Sequence, residues 1–272
     1  MEASYSYKNS NLLRMADIHK TATVHPEARI ARDVEIGPYT IIGSNVEISG
    51  GTKIGPHVII EGSTVIGKNN NIYHGAALGI KPDNLKDSIR GCLLIGDNNT
   101  IRENVTINSG TEEKNTIIGS NNFIMAYCHI ACNCKLGDNI IISNAVNLGK
   151  EVVIEDKAVI AGISSIEDHV KIGKIAMVGA HSRISDDVPP YILVDGHQPM
   201  RVKVNVIGLR RNGFQPELRK KIKKIYKLVF RSGLARKTAI KAIEREVSAG
   251  QLGGEIEYFL DFIKNTEKNK NK

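Results

Sequence analysis

Tryptophan is missing from this 272-residue chain, and 8 Tyr and 5 Phe are its only six-membered aromatic rings. That excludes a core built around stacked rings, so Ile, Val, Leu and Ala must fill the interior. Four Cys are too few for a disulfide framework at this length. No run of 18 apolar residues occurs, so no membrane-spanning helix is expected. Residues 1–16 form a polar N-terminal extension without an apolar h-region, which predicts no secretory signal and a cytoplasmic location. At 41% hydrophobic and 24% charged residues, the composition is that of an ordinary soluble globular protein.

The net charge of +8 is unevenly placed. Residues 1–200 carry 18 Lys and Arg against 22 Asp and Glu, whereas residues 201–272 carry 19 against 7. A mildly acidic body thus bears a strongly basic C-terminal part, and the excess calls for an anionic partner. Such a basic run most often forms a solvated helix face, and nucleic acid is not the expected partner.

An internal clock sets the fold. Stepping by six from Ile18 gives Val24, Ile30, Ile36 and so on to Leu78, all aliphatic. The phase resumes at Ile95, Ile101 and Ile107, and again from Ile118 to Ile184, for 26 aliphatic markers in three runs. Two residues before each marker lies a second column of mostly small residues, including Thr40, Thr52, Cys128, Cys134, Ala158 and Ser182. Large aliphatics alternating with small residues at a fixed period describe a tube wound from six-residue faces, three to a coil. The predicted fold is a mainly β, left-handed parallel β-helix over 17–190, with roughly nine coils at ~4.8 Å each.

Two breaks in the clock predict loops near 79–94 and 108–117. A repeat that keeps its phase across an insertion places that insertion on one face, usually the working one. Beyond Pro190 the clock stops and helical spacing begins, predicting an α-helical domain over 191–265. Its helices are expected near Pro216–Ser232, Ala235–Ser248 and Glu255–Asn265, with 266–272 a disordered tail.

Several stretches then acquire meaning together: Ile95-Gly96-Asp97-Asn98-Asn99, Ile101-Arg102-Glu103, Asp187-Val188-Pro189-Pro190-Tyr191, Asn205-Val206-Ile207-Gly208-Leu209-Arg210-Arg211 and Gly213-Phe214. With the hexapeptide clock, they resemble the acyl carrier protein–UDP-N-acetylglucosamine O-acyltransferases, which begin lipid A synthesis. The resemblance implies a homotrimer with active sites in clefts between prisms. It also implies acyl carrier protein and a UDP-sugar as partners, no cofactor, and acyl transfer from a thioester to the sugar 3-hydroxyl. A hydroxyl needs a general base with a pKa near 7, for which histidine is suited.

The family carries that base in a His-Ile-Ala-His-Asp-Cys motif, the second His being the base and the Asp its support. The corresponding residues here are His129-Ile130-Ala131-Cys132-Asn133-Cys134. Cys132 therefore occupies the base position, and Asn133 replaces the carboxylate. Asn84, Asn108, Ser109, Glu151, Glu167, Asp168, Ile207 and Asn212 also depart from the family pattern. His129, Lys86, Asn205 and Arg211 keep it, and the resemblance implies that they bind substrate. The structural clock is nearly unbroken while about two in three matched site positions have changed, so folding has been retained while the inherited chemistry was relaxed or replaced.

The phase decides how the cysteine cluster reads. Cys128 and Cys134 fall in the inward column and read as core residues. Cys132, two after a marker, is expected to face outward with His129, and two ligands do not close a zinc site. Two readings of Cys132 stand: a thiol that accepts the acyl group or acts as a weak base, and a surface Cys standing where a His is expected. The remaining histidines, His169 among them, show no paired spacing that marks a metal site or a triad.

Overall fold

The computed structural model describes residues 16–82, 91–111, 114–197, 201–248 and 254–270. Short parallel strands form three sheets that wind as one prism. The first face runs from Asp17–Ile18 to Arg201–Val204, the second from Thr23–Val24 to Arg183–Ile184, and the third from Arg29–Ile30 to Lys171–Ile172. They hold eleven, nine and eight strands, so the coil count agrees with the repeat.

The chain winds this way because of its corners. At the third residue after a marker the backbone repeatedly takes a left-handed conformation, as at Asn69 (φ 56°), Asn121 (φ 59°) and Asn139 (φ 58°). Such angles are rare outside glycine, and asparagine tolerates them best. Each corner turns the chain onto the next face, so a coil closes in 18 residues. Ile36 then pairs with Ile54, and Ile54 with Ile72. Like side chains therefore stack on like, and the marker column is buried throughout most of the prism. Across the first insertion Leu78 still pairs with Ile107, and the register slips by one residue only beyond it, between Leu78 and Ile80, where the loop leaves the tube.

The inward small column also solves a polar problem. Thr40, Thr52 and Ser164 donate their hydroxyls to the carbonyls of Gly55, Gly67 and Gly179. The thiols of Cys128 and Cys134 do the same toward Ser143 and Gly149 at 3.0 and 3.1 Å. These two cysteines are thus in the core as expected, and they also cap backbone carbonyls there. Asn70, Asn99 and Asn122 continue the column as a ladder. Each amide donates to a glycine carbonyl, and each side-chain oxygen accepts the backbone N–H of the next rung, ending on Ile140.

Beyond Pro190 the sheet continues where a helical domain was expected to begin. Ile192–Asp195 adds to the first face, and Arg201–Val204 returns antiparallel to it. Four helices follow: α1 Val206–Arg211, α2 Pro216–Phe230, α3 Arg236–Ser248 and α4 Gly254–Lys270. The short α1 had no periodic signal. α4 extends through part of the expected disordered tail, whose Lys and Glu are good helix formers. α4 is clasped to the prism: the hydroxyls of Tyr191 and Tyr258 donate to Glu255 and Glu155, and Lys174 pairs with Glu255 at 2.7 Å.

Replacing a rung of the asparagine ladder tests this account. Asn122 is buried and satisfies both the Gly137 carbonyl and the Ile140 N–H. Asn122→Leu leaves both unpaired and is expected to destabilise the fold by roughly 3 kcal/mol in chemical denaturation.

Candidate functional site

On the outward side of the second face, Thr106, His129, Asn147 and Ser165 stack one coil apart. His129 is half-buried, and its Nδ1 lies 2.7 Å from the Thr106 hydroxyl, which fixes the ring against the sheet. The site residue His129 therefore faces out as its position predicts.

Cys132 does not face out. It is only 4% exposed, whereas Asp138, Asn144 and Asp156 at the same phase are exposed. The segment that follows Asn108 packs on the residue next to Cys132. Asn133, at the left-handed corner (φ 64°), accepts the Thr111 N–H at 2.9 Å and donates to the Thr111 hydroxyl at 2.8 Å. That clamp holds the chain around Thr111 against the corner, and Asn133 is buried with it. Burial pushes the Cys132 thiol above its ordinary value, and nearby Lys150 offsets this only in part. A protonated, enclosed thiol is neither a base nor a nucleophile at neutral pH.

One coil beyond Asn133, the same edge carries a charged cluster. Glu151 ion-pairs with Lys114 at 2.9 Å and faces His169 Nδ1 at 3.6 Å. The hydrogen bond from Lys114 is the main cause holding the Glu151 carboxyl below its usual range, and His169 adds to it. Reading the histidines for short spacings missed this pair. The signal was an interval of 18 residues, one full coil.

Asn205 and Arg211 lie elsewhere, on a groove of about 780 Å³ along the first face. Ile141, Val159, Met177 and Leu193 make its floor, with Lys157 and Lys203 beside it. Arg211 is exposed in the last turn of α1. Asn205 is buried: its oxygen caps α1 by accepting the Gly208 N–H, and its amide donates to the Ile175 carbonyl. A single chain does not bring His129 to this groove. Lys86 lies outside the described residues.

A three-faced β-helix of six-residue units, with an apolar groove and a polar edge, defines a hexapeptide-repeat transferase. Residues 115–150 match the bacterial transferase hexapeptide of six repeats, and 187–270 match domain 2 of the UDP N-acetylglucosamine O-acyltransferases. An acyl-[acyl-carrier-protein]–UDP-N-acetylglucosamine O-acyltransferase of Halorhodospira halophila is 40% identical over 93% of this chain and 98% of its own. One of Gloeothece citriformis is 45% identical over 64% of each chain. The crystal structure of LpxA from Acinetobacter baumannii superposes with a TM-score of 0.85 at 38% identity, covering 90% of this chain and 95% of that one. The chain belongs to the acyl-[acyl-carrier-protein]–UDP-N-acetylglucosamine O-acyltransferase family.

The burial of the thiols has a measurable result. Burial pushes Cys128 up to about 11 and Cys134 up to about 12, from an ordinary 9.0. The folded state therefore keeps these protons after the unfolded chain has lost them. Their contribution is complete below pH ~9 and falls as the pH rises toward the folded values. Native protein treated with iodoacetamide at pH 8 is expected to be alkylated at the partly exposed Cys92 alone, with the other three labelled only after denaturation, as mass spectrometry would show.

Proposed function

We propose that this chain is an acyltransferase of the LpxA type with an altered active site. It moves an acyl group from acyl carrier protein to the 3-hydroxyl of a UDP-sugar, as a cytoplasmic homotrimer that needs no cofactor. The observation that carries this reading is that one chain holds two half-sites on different faces. One is the His129 edge of the second face, and the other is the Arg211 groove of the first. Packing the first face of one copy on the second face of another joins them, with an apolar floor for the acyl chain and cations for phosphate. The described helices include none long and apolar enough to cross a membrane, which agrees with this location.

The alteration is the loss of the inherited base. The buried Cys132 thiol and the committed Asn133 amide leave the usual position without a proton acceptor, so Cys132 takes no part in transfer. The same observation favours a second reading, in which the chain binds acyl carrier protein and a sugar nucleotide without turning them over.

Transfer from acyl-loaded carrier protein to UDP-N-acetylglucosamine separates the two readings. Measurable turnover, unchanged in Cys132→Ala, is expected; binding of both substrates without turnover by any donor would establish the second. Arg211→Ala is expected to raise the KM for the sugar nucleotide about tenfold, the cost of one charge-assisted contact, with unchanged melting. Asn205→Ala removes a helix cap and should lower stability by about 1 kcal/mol in denaturation.

A further inference from the structure

We infer that His169, oriented by Glu151, is the general base of this chain, acting two coils along the prism edge from Cys132. The inference rests on the acyltransferase reading above and names the group that the altered site uses.

The reaction sets the requirement: an acceptor near neutrality, at the rim of the second face, with a partner that stabilises its charged form. Cys132 is enclosed and protonated. His129 is half-buried, with its Nδ1 held 2.7 Å from the Thr106 hydroxyl. His169 has a carboxylate facing Nδ1 at 3.6 Å. Positions 133, 151 and 169 form one corner column at 18-residue intervals, so His169 stands about 10 Å along the axis from Asn133.

The pair is held from both sides. Lys114 fixes the other oxygen of Glu151 at 2.9 Å, and the Glu151 N–H donates to the Cys132 carbonyl at 3.0 Å. The His169 N–H donates to the Lys150 carbonyl at 2.8 Å, which sets the corner from which the ring projects. The His169 side chain is 70% exposed and Glu151 34%, so the ring reaches the rim while its partner sits behind it. The charged groups at the ring are Glu151, with Lys114 behind it, and at the same corner Asp168, which accepts the Lys150 N–H.

In the step this assigns, His169 Nε2 removes the sugar hydroxyl proton while Nδ1–H faces Glu151. The freed oxygen bonds to the thioester carbonyl carbon. The resulting tetrahedral intermediate breaks its C–S bond, and the departing thiolate takes the proton back from the imidazolium. One ester and one carrier thiol result, with no oxidant or reductant required. The acceptor hydroxyl must then lie closer to the helical domain than position 132.

The test is the pH profile of kcat/KM for the full-length protein, using acyl-loaded acyl carrier protein and UDP-N-acetylglucosamine. His169→Asn suits the left-handed corner (φ 63°) and keeps the fold. It is expected to lower kcat about 100-fold with KM little changed, to remove the acid limb, and to recover in part with added imidazole. Glu151→Gln is expected to lower kcat about tenfold with KM little changed, because the ring loses the carboxylate that faces Nδ1. A His169→Asn variant with the parent's kcat and acid limb overturns this inference and leaves the acyltransferase reading intact. A parent protein without turnover overturns both.

Discussion

Everything in this molecule depends on the left-handed corner. A single residue at positive φ closes most faces from Tyr39 to His181, and it recurs at a fixed phase, three residues after a marker. Isolated, such a conformation costs a non-glycine residue about 1–2 kcal/mol. Here the parallel ladders on either side over-determine it. Even β-branched Ile163 (φ 57°) and Ile175 (φ 56°) are held in it, so the stacking of coils outweighs local preference.

The corner also fixes what the interior must contain. An 18-residue coil places each marker over another marker and leaves a narrow channel for the residue two before it. Mostly small side chains fill it: Val and Ala pack there, while polar members such as Thr40, Ser164, Cys128 and Asn70 answer a backbone carbonyl in the coil that follows. Thr, Ser, Cys and Asn serve because each carries a donor on a short stem. The low aromatic content has the same origin, since the tube has no width for rings. The aromatic residues gather instead where the tube ends: Tyr191 packs against Phe214 and Phe259 at centroid distances of 5.6 and 5.9 Å.

The prism was legible in the sequence because its period is written in one residue class, with 26 aliphatic markers at a constant interval. The inward placement of Cys128 and Cys134 followed from phase alone. Cys132 did not, because phase describes a bare coil and takes no account of a distant segment that packs on the neighbouring residue, Thr111 on Asn133. The Glu151–His169 pair was hidden for the opposite reason. It is regular, but at three times the period being read, and only the coil count turns an interval of 18 into adjacency. The strand pair at Ile192–Asp195 and Arg201–Val204 and the short α1 are held by tertiary pairing, which local pattern does not record.

Such a scaffold separates folding from chemistry more sharply than most. Its stability resides in the marker and inward columns, which are buried, while the outward columns and corner side chains carry little of it. A corner asks of its residue only that it accept a positive φ. Asn133, Glu151 and His169 all do, and their side chains are otherwise free to differ. The base lost at 132 is then replaced from the adjoining corner column, one and two coils away on the same edge, since its own column continues as Lys150 and Asp168. Chemistry on a solenoid can move along its axis in steps of one coil without a change in fold, and Thr111, which is clamped to Asn133, lies three residues before Lys114, which reaches Glu151 in the neighbouring coil. Closing one position and charging the next are two results of a single packing event.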